Sequence, residues 1–513
     1  MANESRVKKS LLNAQVNLIC YFISLAVAFF TRKVFLDQLG MEFIGLTGTL
    51  QSLLGFLNLA ELGVGTAIGY VLYKPIFDDD KEKIIEIISV FGYLYRCIGL
   101  FIAGSGIVLS LFLSLIFPST TFSWGVIYFG FYAYLSSSLL GYFINYNQAL
   151  LSADQRNYVV TGYFQAATFI KVLVQAILAL TLRSFYLFFA LELAFGIVNS
   201  IILQWKINQT YPWLNSEIKL GKKLFKKYPE IGKYVKQLFV HKIGSFVQFQ
   251  LSPFLIYTFV SLPVVALYGN YTLVTQRMQS FINAIMNSTG AAIGNLISEG
   301  DKKKIFSVYQ ELLSCRIFIA GFSSMCVYVL ITGFIRVWLG SEYELNQLTV
   351  LLICAHFFLM IVREINDQFI FGYGLFYDTW SPLTESFIFI VTSMTLGHLF
   401  GLNGVLAGPL VSTFIIVYLW KPYFLFHKGF KYPVRRFWSL IGLNIIAFIA
   451  AALSAKMLFA MSVVHIGNYQ GWMEWIVQSA LFVLLLVSTS LLSFYALVPG
   501  FRSFVKRFAK NRK

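Results

Sequence analysis

The sequence predicts an all-α polytopic membrane protein of about 14 transmembrane helices, with two parallel six-helix lobes plus two accessory helices. Three observations carry this. Of 513 residues, 58% are hydrophobic and only 12% charged, half the charged share of a soluble domain. The apolar residues fall in continuous runs long enough to cross about 30 Å of hydrocarbon. The basic residues alternate between successive connections.

Fourteen spans follow, at 11–35, 43–73, 85–117, 124–151, 158–182, 185–206, 237–260, 265–297, 307–332, 347–372, 380–400, 404–426, 438–460 and 474–498. Connections as short as Arg183-Ser184 and Gly401-Leu402-Asn403 fit only helical hairpins. Strands of a barrel would alternate in polarity, which these runs do not. The first run follows Arg6, Lys8 and Lys9 and is too long for a signal-peptide core, so it reads as an uncleaved span.

With the N-terminus inside, inner segments hold 29 of the 40 Lys and Arg residues and outer segments hold 5. Both termini are therefore expected in the cytoplasm. The same count accounts for the net charge of +17 as a topogenic signal against anionic headgroups, and no nucleic-acid partner is expected. Cys20, Cys97, Cys315, Cys326 and Cys354 lie in apolar runs with no metal spacing and no disulfide framework.

The expected organisation is an N-lobe at 1–206, a basic cytoplasmic linker at 207–236, a C-lobe at 237–426, and two accessory spans with a basic tail at 427–513. Starting in the linker, the stretch from Ile218 to Phe239 reads as one amphipathic surface helix. An internal repeat relates the lobes. Val64-Gly65-Thr66-Ala67-Ile68-Gly69 resembles Thr289-Gly290-Ala291-Ala292-Ile293-Gly294, and the loops starting at Asp80 and Asp301 lead into spans holding Arg96 and Arg316. Even-numbered halves make the repeats parallel, with a substrate path expected between lobes near the midplane.

Charges inside spans are the functional signal. Arg96, Lys171, Arg277 and Arg316 stand at mid-span, with Glu61 and Glu192 also within spans and Arg363, Glu364, Asp367 and Glu385 nearer one end. Four central cations exposed to lipid cost about 10–14 kcal/mol on insertion scales, so they pair or face water. Glu61 with Arg96 is a candidate structural pair, and Arg363 with Asp367 a local i, i+4 pair. Lys171, Arg277 and Arg316 have no evident acid at equal depth, which makes a cationic cavity for a phosphate or pyrophosphate headgroup the sharper reading. Glu61, Glu192 or Glu385 are candidates for H⁺ or Na⁺ coupling. No Walker A, HExxH or GxSxG sequence is present, no cofactor is expected, and outer loops are short, so a transporter is favoured over an enzyme.

Nearly the whole chain resembles the polysaccharide (Wzx-type) flippases of the multidrug/oligosaccharidyl-lipid/polysaccharide exporter superfamily. The carrying residues are Arg32-Lys33-Val34-Phe35-Leu36 with Leu39-Gly40, Asn58-Leu59-Ala60-Glu61-Leu62-Gly63-Val64-Gly65, and Tyr93-Leu94-Tyr95-Arg96. Leu151-Ser152-Ala153-Asp154-Gln155-Arg156-Asn157-Tyr158, Gly374-Leu375-Phe376 and Pro382-Leu383-Thr384-Glu385 continue it. The resemblance implies a MATE-like V of two six-helix lobes plus two accessory helices in a bacterial cytoplasmic membrane, acting as a monomer. It implies alternating access that turns a lipid-linked, undecaprenyl-pyrophosphate oligosaccharide to the outer leaflet, with Arg96 and Arg316 holding the pyrophosphate. Arg277 and Lys171 rest on depth alone. The near-neutral total of intramembrane charge departs from a strongly cationic lumen. The rivals are a cation-coupled multidrug or small-molecule antiporter on the same fold and, more remotely, a membrane-bound glycan transferase or polymerase.

Overall fold

The computed structural model describes residues 6–510 except 62, 119, 155, 287–289, 376 and 461–470. Leu62, Gln155, Thr289 and Phe376, quoted in the motifs above, lie outside the described residues. Among the described residues there is no strand.

The helices, in chain order, are α1 (Arg6–Leu57), α2 (Val64–Phe77), α3 (Lys81–Ser110), α4 (Leu113–Ile116), α5 (Trp124–Phe143), α6 (Gln148–Ala153), α7 (Asn157–Leu182), α8 (Phe185–Thr210), α9 (Gly221–Lys227) and α10 (Pro229–Phe259). There follow α11 (Leu262–Met286), α12 (Gly290–Ser298), α13 (Lys302–Trp338), α14 (Gln347–Gly372), α15 (Trp380–Thr413), α16 (Lys421–Phe424), α17 (Arg435–Ala460), α18 (Trp472–Leu497) and α19 (Pro499–Lys510).

Among the described residues, ten helical stretches are long and apolar enough to cross a membrane. Two of them, Gln15–Leu57 and Trp380–Phe430, run for 43 and 51 residues, about twice the length one crossing needs. Each is interrupted at a glycine in the left-handed region, Gly40 (φ 84°) and Gly401 (φ 56°). At Gly401 the chain reverses, because Ser393 Oγ donates back to the Val405 carbonyl at 3.0 Å. At Gly40 the flanking Phe35 and Phe43 both lie against Phe188. Counting both halves of these two, and adding the more polar α10 and α11, gives fourteen long helical segments among the described residues, as many as the spans read from the sequence.

Of the two passes that hold the repeat motif, the second is a broken helix. The second runs from α1 through a 3-10 turn at Asn58–Glu61 and Gly63 (φ 89°) into α2. The second copy of the motif falls at α12, and residues 287–289 before it lie outside the described residues. In each case an aspartate then caps the next long helix: Asp80 Oδ1 accepts from the Lys83 amide at 3.0 Å, and Asp301 Oδ1 from the Lys303 and Lys304 amides at 3.0 and 3.1 Å. Such caps satisfy amides with no intrahelical partner. Arg96 and Arg316 follow their caps by about fifteen residues, roughly 23 Å along the axis.

By contacts the chain divides into two compact units, Met1–Ala266 and Leu267–Lys513. In the first, α10 packs with α1 and α2, and Phe43 centres an aromatic core with Phe122, Phe185, Phe188 and Phe189. In the second, Phe306, Tyr309, Phe369, Phe426 and Phe430 form another. Much of the heavy phenylalanine content, which the sequence explains only as lipid contact, thus fills protein interior. The last two passes, α17 and α18, pack on α13 through Leu330, Ala455, Phe459, Phe482 and Leu486.

The single surface helix expected from Ile218 onward does not form. A 3-10 turn and the seven-residue α9 lie against α3, where the Lys227 ammonium meets Glu86 at 2.7 Å. The chain then breaks at Tyr228 (φ −119°, ψ 64°). Proline at 229 explains the break, since the residue before proline is driven out of the α region. Lys233 and Lys236 fall in the opening turns of α10.

Candidate functional site

The intramembrane charges sort into three sets and a few remaining groups. In the first unit, Glu61 sits on the 3-10 turn that breaks the second pass. Its carboxylate accepts hydrogen bonds from the hydroxyls of Tyr95 (α3) and Tyr142 (α5), the latter at 2.7 Å. The Tyr142 hydroxyl also lies 3.2 Å from Asn58 Oδ1, which accepts from Ser138 Oγ at 3.3 Å. The pair considered between Glu61 and Arg96 is therefore not made. Adjacent helical residues point about 100° apart, so with Tyr95 turned inward to Glu61, Arg96 turns out.

The second set corrects the reading of Lys171 as lacking an acid. Its ammonium lies 2.8 Å from Glu192 Oε2 across the α7–α8 hairpin. Gln175 Nε2 donates to Glu192 Oε1 at 3.1 Å. The sequence carried a usable signal here. The turn at Arg183-Ser184 puts the two residues at depths differing by about 6 Å, within reach of a lysine.

The third set is in the second unit. Arg363 on α14 addresses Glu385 on α15 with both terminal nitrogens, Nη1 to Oε1 at 2.7 Å and Nη2 to Oε2 at 3.2 Å. Its Nε donates to Asp367 Oδ2 at 3.3 Å, the i, i+4 contact read from the sequence. Asp367 Oδ1 accepts from Lys421 on α16 at 2.5 Å. Glu385 is fully buried and Arg363 and Lys421 nearly so. Two cations and two anions thus close a neutral quartet joining three helices. Lys421 was missed because it stands at the end of its apolar run, where it reads as a loop charge.

Arg316 on α13 is fully buried, and its Nη1 donates to the Ile361 carbonyl on α14 at 3.2 Å. Glu364 on the same helix acts on it electrostatically. In this conformation its guanidinium is enclosed, unlike the cavity-lining role expected of it. Arg277 on α11 is half-buried.

Arg96 differs. Its side chain is exposed in the middle of the 30-residue α3, and no ion pair reaches it among the described residues. A mid-span guanidinium facing hydrocarbon is strongly disfavoured. Among the described residues no cluster of His, Cys, Asp and Glu has metal-binding geometry, and all five cysteines are free thiols.

No family model matches the sequence, and no curated protein matches it. Solved structures do. The lipid II flippase MurJ in an inward closed conformation superposes with a TM-score of 0.64 at 14% identity, covering 94% of this chain and 99% of that one. A multidrug resistance MATE family transporter of the MOP superfamily gives 0.56 in its inward-facing and 0.52 in its outward-facing conformation. Both are 14% identical and cover 82% of this chain. The chain is thus a multi-pass membrane protein with the fold shared by these transporters and flippases, the one implied by the residues that resemble the polysaccharide-flippase branch.

Proposed function

We propose that this protein is a flippase that carries a lipid-linked oligosaccharide, on undecaprenyl pyrophosphate, from the inner to the outer leaflet of a bacterial cytoplasmic membrane by alternating access. It serves export of a cell-surface polysaccharide, with both termini in the cytoplasm and one chain as the working unit. The observation that carries the reading is Arg96, an exposed mid-span guanidinium with no ion pair among the described residues. A diphosphate matches the fork of donors that arginine presents.

The extent of the structural likeness supports this reading over drug export. The lipid flippase is matched over 94% of the chain, the MATE transporters over 82%. The difference is comparable to the size of the last two passes. Arg96 also disfavours cationic drugs, since like charges repel strongly in a poorly screened cavity. Glu61, held between two tyrosine hydroxyls at a helix break, is the carboxylate we assign to H⁺ or Na⁺ coupling.

The test is deletion of the gene in its host, with mass spectrometry of polyprenyl-linked species. One defined lipid-linked glycan accumulates, relieved by the wild-type gene and not by Arg96→Ala. An unchanged pool beside new sensitivity to small toxic compounds would overturn the reading in favour of a multidrug antiporter.

A further inference from the structure

The second unit carries a feature that transport as proposed leaves unused. Between α15 and the stretch that follows it lies a groove of about 400 Å³, lined by Trp380, Thr384, Ile415, Leu419, Trp420 and Tyr423 among others. Its far wall is π-helical from Phe414 to Trp420. The wider π turn is rare and recurs at functional sites. Trp380, Leu419 and Tyr423 are each more than two-fifths exposed.

From this groove a ladder of rings runs along the helix. Trp380 meets Trp420 edge-on at 4.7 Å, Trp420 meets Tyr423 at 5.7 Å, and Tyr423 lies parallel to His427 at 5.8 Å. The ladder thus passes from an apolar slot to a basic run. His427, Lys428, Lys431 and Arg435 are all exposed, and positions 421–436 contain no acid. Asp378, the acid beside the ladder, is buried and accepts from the Trp420 indole at 3.0 Å and from Ser381 Oγ at 2.8 Å. It turns no charge towards the rim.

We propose that this groove is a binding site for one anionic phospholipid, an acyl chain lying along Trp380, Leu419 and Trp420 and the phosphate against His427 and Lys428. Each half of the site selects a different part of the molecule. An apolar slot between membrane-crossing helices is filled by hydrocarbon, and aromatic rings at its end belong at headgroup depth. With both termini in the cytoplasm, as in the function proposed above, that end lies at the cytoplasmic leaflet, whose anionic lipids attract exposed basic residues. The occupant also braces the quartet. Thr384 and Trp420 line the groove while their neighbours Glu385 and Lys421 face inward to Arg363 and Asp367. This inference stands apart from the transported substrate.

The experiment is native mass spectrometry of the full chain, delipidated in detergent and titrated with phosphatidylglycerol or phosphatidylcholine of matched chains. The first phosphatidylglycerol is retained in preference by about fivefold or more, the effect of one or two cations near a headgroup. His427→Gln/Lys428→Gln, both exposed positions, abolishes that preference while leaving the elution profile unchanged. Thr384→Trp, which fills the slot, lowers retention of both lipids. Equal retention of the two lipids by the wild type would overturn the proposal. So would phosphatidylglycerol binding untouched by the glutamine pair, or its displacement by inorganic phosphate or by polyprenyl phosphate at equal concentration.

Discussion

Arg363 and Glu385, on different helices and 22 residues apart, face each other with two parallel hydrogen bonds of 2.7 and 3.2 Å inside the second unit. The planar guanidinium suits this geometry, and lysine could not reproduce it. Because Asp367 and Lys421 complete the quartet, its four members together carry no net charge.

Breaking one member therefore uncovers its partners. Glu385→Ala is expected to lower stability by about 3–5 kcal/mol, as for other buried pairs that lose one ion. Arg363→Met/Glu385→Leu, which also leaves Asp367 with Lys421, is expected to cost less than either single change. Thermal melting of the detergent-solubilised proteins checks the ordering.

Arg96 and Arg316 occupy matching places in the repeat but are expected to fail in opposite ways. Arg96→Ala leaves the melting temperature within the range of ordinary surface changes, about 0.5 kcal/mol, and abolishes relief of the accumulated lipid-linked glycan. Arg316→Ala removes an enclosed side chain bonded to the Ile361 carbonyl and lowers stability first. Melting curves beside complementation separate the two.

Lys171 and Glu192 form a pair that retains some exposure, 19% and 14% for the side chains. The interchange Lys171→Glu/Glu192→Lys is expected to recover much of the stability lost by either single reversal. A double-mutant cycle on thermal stability gives the coupling. Additive losses would show that the contact contributes nothing.

Gly401 turns the chain between two passes with φ 56° and ψ −130°, a region open essentially to glycine alone. Gly401→Val is expected to destabilise the hairpin by about 1–3 kcal/mol. Lower yield of folded protein in membranes and an earlier melting transition are the readouts. Gly442, at ordinary helical angles with open space where a side chain would go, is the control.

Legibility in the sequence followed the kind of interaction involved. The passes, the glycine motif with the charged loop that follows it, and the i, i+4 contact of Arg363 with Asp367 are local, and residue order displayed them. Glu61 shows where that stopped. Its acidity and its place beside a glycine motif were visible, but its partners Tyr95 and Tyr142 come from two other helices. In an apolar run a tyrosine reads as one more hydrophobic residue.

What the sequence alone determined is the solvent and the number of crossings. Both are sums along the chain: about 20 apolar residues span the hydrocarbon whatever their neighbours are. What only the tertiary structure decided is which intramembrane charge is neutralised. Lys171 meets Glu192, Arg363 meets Glu385, Arg316 is enclosed, and Arg96 is left open. Depth is set by position in the run, but pairing depends on how each helix is rotated and which helix lies beside it. Those choices are made by side-chain packing between segments far apart in sequence.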